Sequence, residues 1–240
     1  MHDVGIYENL ILGIHFLLLK KCKIFDEKTI VRCYTGRSMR INVRKHERRG
    51  YQSIKMSNIL EKQFLKQRND FEKSCVERDK KYHFPQGVIF ETDIAYAKDK
   101  NKAHRLDRYR PKGKEAQILP VIINVHGGGL LLGNKEFNKY FCALLSKKGF
   151  LVYSMEYRLI PDCTFFDQLR DIFLAMDFVK EHAAADGGDL SHVYLVGDSG
   201  GACLATYANA IQNSKKIAKA AGVKPSELKV HALGLISGMF

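Results

Sequence analysis

The chain has no C-x-x-C pair, no internal repeat, no low-complexity segment and no apolar run long enough to span a bilayer. Each absence closes a class of explanation. The six cysteines, Cys22, Cys33, Cys75, Cys142, Cys163 and Cys203, lack the paired spacing of a zinc ribbon or a dithiol redox centre. Several fall within apolar stretches, where a thiol behaves as a small hydrophobe, so a reducing cytoplasm and no metal site are expected. The longest apolar run, Leu10 to Leu19, is shorter than the roughly 20 residues that a spanning helix needs. Asp3 and Glu8 precede it and Lys20, Lys21 and Lys23 follow it, the reverse of a secretory signal. Residues 1–24 keep two readings, a helix packed on the main domain or a peripheral membrane anchor. The expected location is therefore the cytoplasm, with peripheral membrane association as the alternative.

Aromatics are missing from the most basic stretch. The net charge is +13, and most of it lies ahead of Phe84, with a dense patch from Arg32 to Arg49. Between Arg37 and Arg49 there is no ring to stack on a base and no recognisable module, so no nucleic-acid partner is expected and the patch reads as a solvated basic face. Proline is also absent until Pro85. The proline-free stretch has helix-like spacing at Ile59, Leu60, Phe64 and Phe71, which predicts a basic, helical N-terminal appendage over residues 1–84.

From Phe84-Pro85-Gln86-Gly87 onward the pattern changes. Val88–Ala97 and Arg105–Tyr109 read as a hairpin around Asp99, Lys100 and Asn101. Short apolar stretches at Leu119–Val125, Phe150–Glu156, Val193–Val196 and Leu228–Leu235 then alternate with helical periodicity over Glu136–Lys148, Phe165–Ala184 and Gly200–Ala221. That alternation predicts an α/β domain over residues 85–240, with a mostly parallel sheet covered by helices on both faces.

Two motifs sit at the ends of such strands. Gly197-Asp198-Ser199-Gly200-Gly201 follows Val193–Val196 and opens a helix, the arrangement of a nucleophile elbow that lifts a serine hydroxyl above the sheet edge. His126-Gly127-Gly128-Gly129 follows Leu119–Val125. Acyl transfer through serine needs an activated hydroxyl and donors for the oxyanion. Ser199 is the candidate nucleophile, and the N–H groups of Gly127, Gly128 and Gly200 are the candidate donors. Gly129 and Asp198 are expected in supporting places, with Asp198 expected to point away from the serine.

These motifs resemble the hormone-sensitive-lipase-like branch of the α/β-hydrolases. The likeness covers about residues 88–240 and extends to His104-Arg105-Leu106-Asp107 with Tyr109-Arg110-Pro111, and to Glu156-Tyr157-Arg158-Leu159 with Pro161. It implies the α/β-hydrolase fold, hydrolysis of a small-molecule ester through an acyl-enzyme, no cofactor, and an N-terminal cap. It also implies that His126 supports the oxyanion loop and is not the base. Gly200 departs from the group, which usually has alanine there.

In this fold the acid and the histidine of the triad follow the serine in chain order. Residues 200–240 hold only His231, which is expected at the opposite sheet edge, as is His192. His182 ends a helix and His104 belongs to the hairpin. The expectation is an esterase truncated after its sixth strand, the sheet incomplete at the C-terminus and the triad Asp and His missing. The alternative is a non-catalytic hydrolase-like module that binds or interacts.

Overall fold

The computed structural model of the protein describes residues 58–238. Residues 1–24, the basic patch Arg32–Arg49, Cys22 and Cys33 therefore lie outside the described residues. The first described element is α1 (Asn58–Asp79). Its residues are mostly long and polar, with no glycine or proline to interrupt it, which suits a helix.

Six strands follow, β1 (Val88–Ala95), β2 (Arg105–Pro111), β3 (Leu119–Val125), β4 (Leu151–Met155), β5 (Gly188–Asp198) and β6 (Ala232–Ile236). They form one sheet in the order β1-β2-β4-β3-β5-β6. β1 and β2 pair antiparallel as the expected hairpin, β2 is antiparallel to β4, and β4, β3, β5 and β6 run parallel. Alternate residues of the central strands face opposite sides. Ile122 and Val152 join Tyr109, Cys142 and Ala143 in one buried cluster, while Val121, Ile123, Leu151, Tyr153 and Leu195 are buried between them in sequence. Burial on both faces is why these strands read as continuous apolar runs.

The helices are α2 (Lys139–Lys147), α3 (Phe165–His182), α4 (Gly200–Asn213) and α5 (Lys215–Ala221), with a 3-10 turn at Lys135–Asn138 ahead of α2. α2 packs on β1, β2 and β4, α4 packs on β3, β5 and β6, and α3 packs on β4 and α4. No helix among the described residues is long and apolar enough to cross a membrane.

Three boundaries differ from expectation for identifiable reasons. The helix expected over Gly200–Ala221 is two, because Ser214 leaves the helical region at φ −141° and ψ 108° and its hydroxyl caps α5 by accepting from the Ile217 N–H. β5 begins at Gly188, since Leu119 and Pro120 pair with Gly188 and Asp189 before a register shift brings Val121 opposite Val193. β6 begins only at Ala232, because the carbonyls of Ser226 and Leu228 accept from the Gln212 amide at 2.6 and 2.9 Å rather than joining a ladder.

Candidate active site

The parallel strands deliver their carboxyl ends to one edge of the sheet, where ligand sites of open α/β sheets form. Val125, Asp198 and Ile236 end β3, β5 and β6 side by side there. Ser199 follows Asp198 and precedes α4 with φ +48° and ψ −115°, a conformation that costs a non-glycine residue about 1–3 kcal/mol. The turn is held by the Ser199 N–H, which donates to Ile236 O at 2.8 Å, and by Ser199 O, which accepts from Cys203 N at 3.1 Å. Glycine is required on both sides by close approach. A Cβ on Gly201 would sit 2.1 Å from Val125 O, and one on Gly197 would sit 2.5 Å from the Gly201 carbonyl. The elbow is thus strained and tightly packed, and the Ser199 hydroxyl has no hydrogen-bond partner among the described residues.

The loop after β3 lies against this turn. An ideal Cβ on Gly200 would come 3.0 Å from the amide nitrogens of Gly129 and Leu130. A methyl at this position would therefore crowd the loop, which gives the glycine in place of the group's usual alanine a steric consequence. As the first residue of α4, Gly200 has an N–H without a helical acceptor.

One expected donor is corrected. The Gly127 N–H donates to Asp198 Oδ1 at 2.9 Å, and Asn138 Nδ2 donates to the same oxygen at 2.7 Å. It is engaged by the carboxylate and cannot serve a substrate at the same time. Asp198, expected to point away from the serine, fills the space where a Gly127 side chain would begin, 2.2 Å from Oδ2.

The next two amides are oriented by planarity. In a trans peptide the C=O of one residue and the N–H of the next point in opposite directions. Gly127 O accepts from His126 Nδ1 at 2.8 Å, which turns the Gly128 N–H the other way. Gly128 O accepts from the N–H groups of Leu131 and Leu132 at 3.2 and 2.9 Å, which does the same for Gly129. Neither the Gly128 nor the Gly129 N–H has an acceptor among the described residues. Gly129, expected only in support, is therefore a better donor than Gly127.

His126 is fully buried and stacks on Tyr157 with ring centres 4.2 Å apart. The Tyr157 hydroxyl donates to His126 O at 2.7 Å. Nδ1 must carry hydrogen to reach a carbonyl, and Nε2 faces Glu156 Oε1 at 3.0 Å, so both ring nitrogens donate. Burial disfavours that charged ring, but the Glu156 carboxylate more than offsets it and holds His126 above its ordinary value of 6.5. Glu156 Oε2 also accepts from Lys135 N at 3.0 Å.

The other residues of the resemblance form a brace behind this loop. Arg158 forks onto the fully buried Asp171 of α3, with Nη2 to Oδ1 at 2.6 Å and Nε to Oδ2 at 2.9 Å. His104 reaches the same Asp171 through Nε2 at 3.1 Å and Asp99 through Nδ1 at 2.7 Å. Asp107 accepts from Asp93 N at 3.0 Å and from the buried Lys135 Nζ at 3.0 Å. Sequence reasoning assigned no role to Asp171 or Lys135. The signal for Asp171 was its place between Leu169 and Ile172 on the apolar face of a helix.

No described histidine bonds to Ser199. His182 Nδ1 donates to Phe178 O, His192 pairs with Asp189, and His231 Nδ1 accepts from Val193 N. His231 N donates to Val193 O, five residues back along β5 from Asp198, so His231 lies at the opposite end of β6 from Ile236, as expected.

The BD-FAE family profile matches residues 106–234, more than half of the chain. Among curated proteins, isoprenylcysteine alpha-carbonyl methylesterase of Arabidopsis thaliana is 32% identical over 114 residues, which cover 48% of this chain and 26% of that protein. Versiconal hemiacetal acetate esterase of Dothistroma septosporum is 30% identical over 112 residues, covering 46% and 32%. The match therefore spans less than a third of either relative's length. Among solved structures, esterase B of Lactobacillus rhamnosis superposes with a TM-score of 0.68 at 29% identity, covering 75% of this chain and 58% of that one. The hyperthermophilic esterase of the archaeon Pyrobaculum calidifontis gives 0.52 at 29% identity, covering 68% and 49%. These neighbours bear out the expected α/β-hydrolase fold.

Proposed function

The chain belongs to the BD-FAE family, within the hormone-sensitive-lipase-like group of α/β-hydrolases, and from that premise we propose that it is a carboxylic ester hydrolase acting on small-molecule esters through Ser199. The Ser199 hydroxyl oxygen attacks the ester carbonyl, the N–H groups of Gly128, Gly129 and Gly200 receive the oxyanion, and the alcohol leaves an acyl-serine that water hydrolyses. His126 acts through the loop, by holding Gly127 O. The observation that carries this reading is the strained elbow at Ser199 facing a loop whose Gly128 and Gly129 amides are left without acceptors.

The proton of Ser199 needs an acceptor; His104, His126, His182, His192 and His231 are hydrogen-bonded elsewhere, and the exposed His83 makes no hydrogen bond to Ser199 among the described residues. His2, His15 and His46 lie outside the described residues. A serine without a base attacks poorly, while oxyanion donors and binding alone retain about 10³ to 10⁴-fold over water. Slow hydrolysis is therefore expected from this 240-residue chain. Turnover of p-nitrophenyl acetate, compared with Ser199→Ala, tests this. A slow rate lost in the variant supports the reading, and a rate unchanged by the variant removes Ser199 from the chemistry. An ordinary enzymatic rate would mean that one of the histidines of this chain serves as the base.

A further inference from the structure

We propose that Arg68 of α1 is a positioning residue for the loop at residues 127–133, so that the N-terminal helix holds the amides that face Ser199; this rests on the reading of that loop given above. The Arg68 guanidinium reaches three acceptors on two segments. Nε donates to Leu131 O at 3.0 Å, Nη2 to Ile160 O at 2.9 Å and Nη1 to Asp162 Oδ2 at 2.8 Å. Leu131 belongs to the loop after His126, and residues 160–162 connect β4 to α3.

The two segments also support each other. Leu130 O accepts from Ile160 N at 3.0 Å and from Gln168 Nε2 at 2.9 Å. Arg68 therefore grips the loop directly at Leu131 and grips the residue that holds the loop at Leu130. The loop needs such restraint, because Leu130 has φ +71°, a left-handed conformation that a leucine adopts only when its surroundings impose it. Leu130 and Gly129 are also the residues whose amides approach Gly200.

The Asp162 contact is the lesser part. Its side chain is 67% exposed whereas that of Arg68 is 17% exposed, and ion pairs with an exposed partner contribute little. The carbonyl contacts carry the positioning. They also explain the residue type, since three acceptors in different directions suit a planar fork with five N–H donors and not a single ammonium. α1 is kept in place independently of Arg68 by Arg78 Nη2 to Phe137 O at 3.0 Å, Tyr140 Oη to Asp79 O at 3.1 Å, Lys139 to Asp79 at 2.6 Å, and the Phe71 and Phe137 rings 5.1 Å apart. Loss of Arg68 should thus free the loop without releasing the helix.

Amide hydrogen exchange on the full chain tests this, for the wild type, Arg68→Met, Arg68→Lys and Asp162→Asn. In Arg68→Met the peptide over residues 127–133 should exchange roughly tenfold faster while β3 and β5 keep their protection. Arg68→Lys should fall between, and Asp162→Asn should match the wild type. Wild-type protection of residues 127–133 in both Arg68 variants overturns the proposal, and so does a rise spread equally over the sheet. If Arg68→Met does not fold, Arg68→Lys decides by the same criterion.

A second readout links the loop to the serine without requiring turnover. Phenylboronic acid adds to a serine hydroxyl by forming an O–B bond, the boron passing from trigonal to tetrahedral and anionic as the hydroxyl proton is released to buffer. The adduct places a negative boronate hydroxyl against the oxyanion donors, and its affinity should fall about tenfold in Arg68→Met. Binding unchanged between the wild type and Ser199→Ala would refute the Ser199 reading alone, with the exchange experiment still deciding Arg68.

Discussion

Replacing Glu156 by Gln would remove the charge that keeps His126 protonated beneath the loop after β3. Glu156 Oε1 accepts from His126 Nε2 at 3.0 Å and Oε2 from Lys135 N at 3.0 Å. A glutamine oxygen can replace only one of these acceptors, and its NH₂ then faces another donor. The loss combines a buried hydrogen bond to a charged group, worth about 1.5–3 kcal/mol, with a fully buried imidazolium left without its counter-charge. About 3 kcal/mol is expected, which for a chain of this size lowers the melting temperature by roughly 6–12 °C. The pH dependence has a definite sign. The folded-state pKa of His126 is raised above 6.5, so its contribution is complete below that value and is lost as pH rises through the folded pKa. Thermal unfolding from pH 6 upward should therefore show a decline in the wild type that Glu156→Gln flattens. A variant that melts within about a degree of the wild type at pH 6 would refute the buried ion pair.

Gly201→Ala puts a Cβ 2.1 Å from Val125 O, so it should lose at least about 3 kcal/mol in urea denaturation or fail to fold. Arg158→Met leaves the fully buried Asp171 with His104 but without its guanidinium, and should cost about 3–5 kcal/mol by the same assay. Burial pushes the Cys142 thiol up to about 12, so iodoacetamide at pH 8 should spare Cys142 in the native protein and modify it in urea, read by peptide mass.

The central strands and the two glycine motifs could be read directly, because strands buried on both faces and turns that exclude a Cβ leave a mark on each residue. Leu119–Val125 has the expected bounds, and Gly197 and Gly201 stand where a Cβ has no room. Long-range polar pairings leave no such mark. Nothing local to Gly127 says that its N–H meets Asp198, 71 residues further along the chain. Glu156 and Arg158 were visible as part of a familiar run of residues. Their partners, His126 and Asp171, became apparent only when β3, β4 and α3 were placed beside one another. Ser214 misled in the opposite way, since a capping serine inside an apolar-periodic stretch looks the same whether the helix continues or restarts.

The reactivity of Ser199 is the most direct test of the proposed ester hydrolysis. Incubation of the whole chain with a p-nitrophenyl alkylphosphonate, which transfers its phosphonyl group to a nucleophilic hydroxyl with loss of p-nitrophenol, followed by peptide mass spectrometry, reads it directly. A single adduct on the peptide that contains Ser199, abolished in Ser199→Ala and slowed in Arg68→Met, is the predicted result. An adduct that persists in Ser199→Ala, or the absence of any adduct after prolonged exposure, would contradict it.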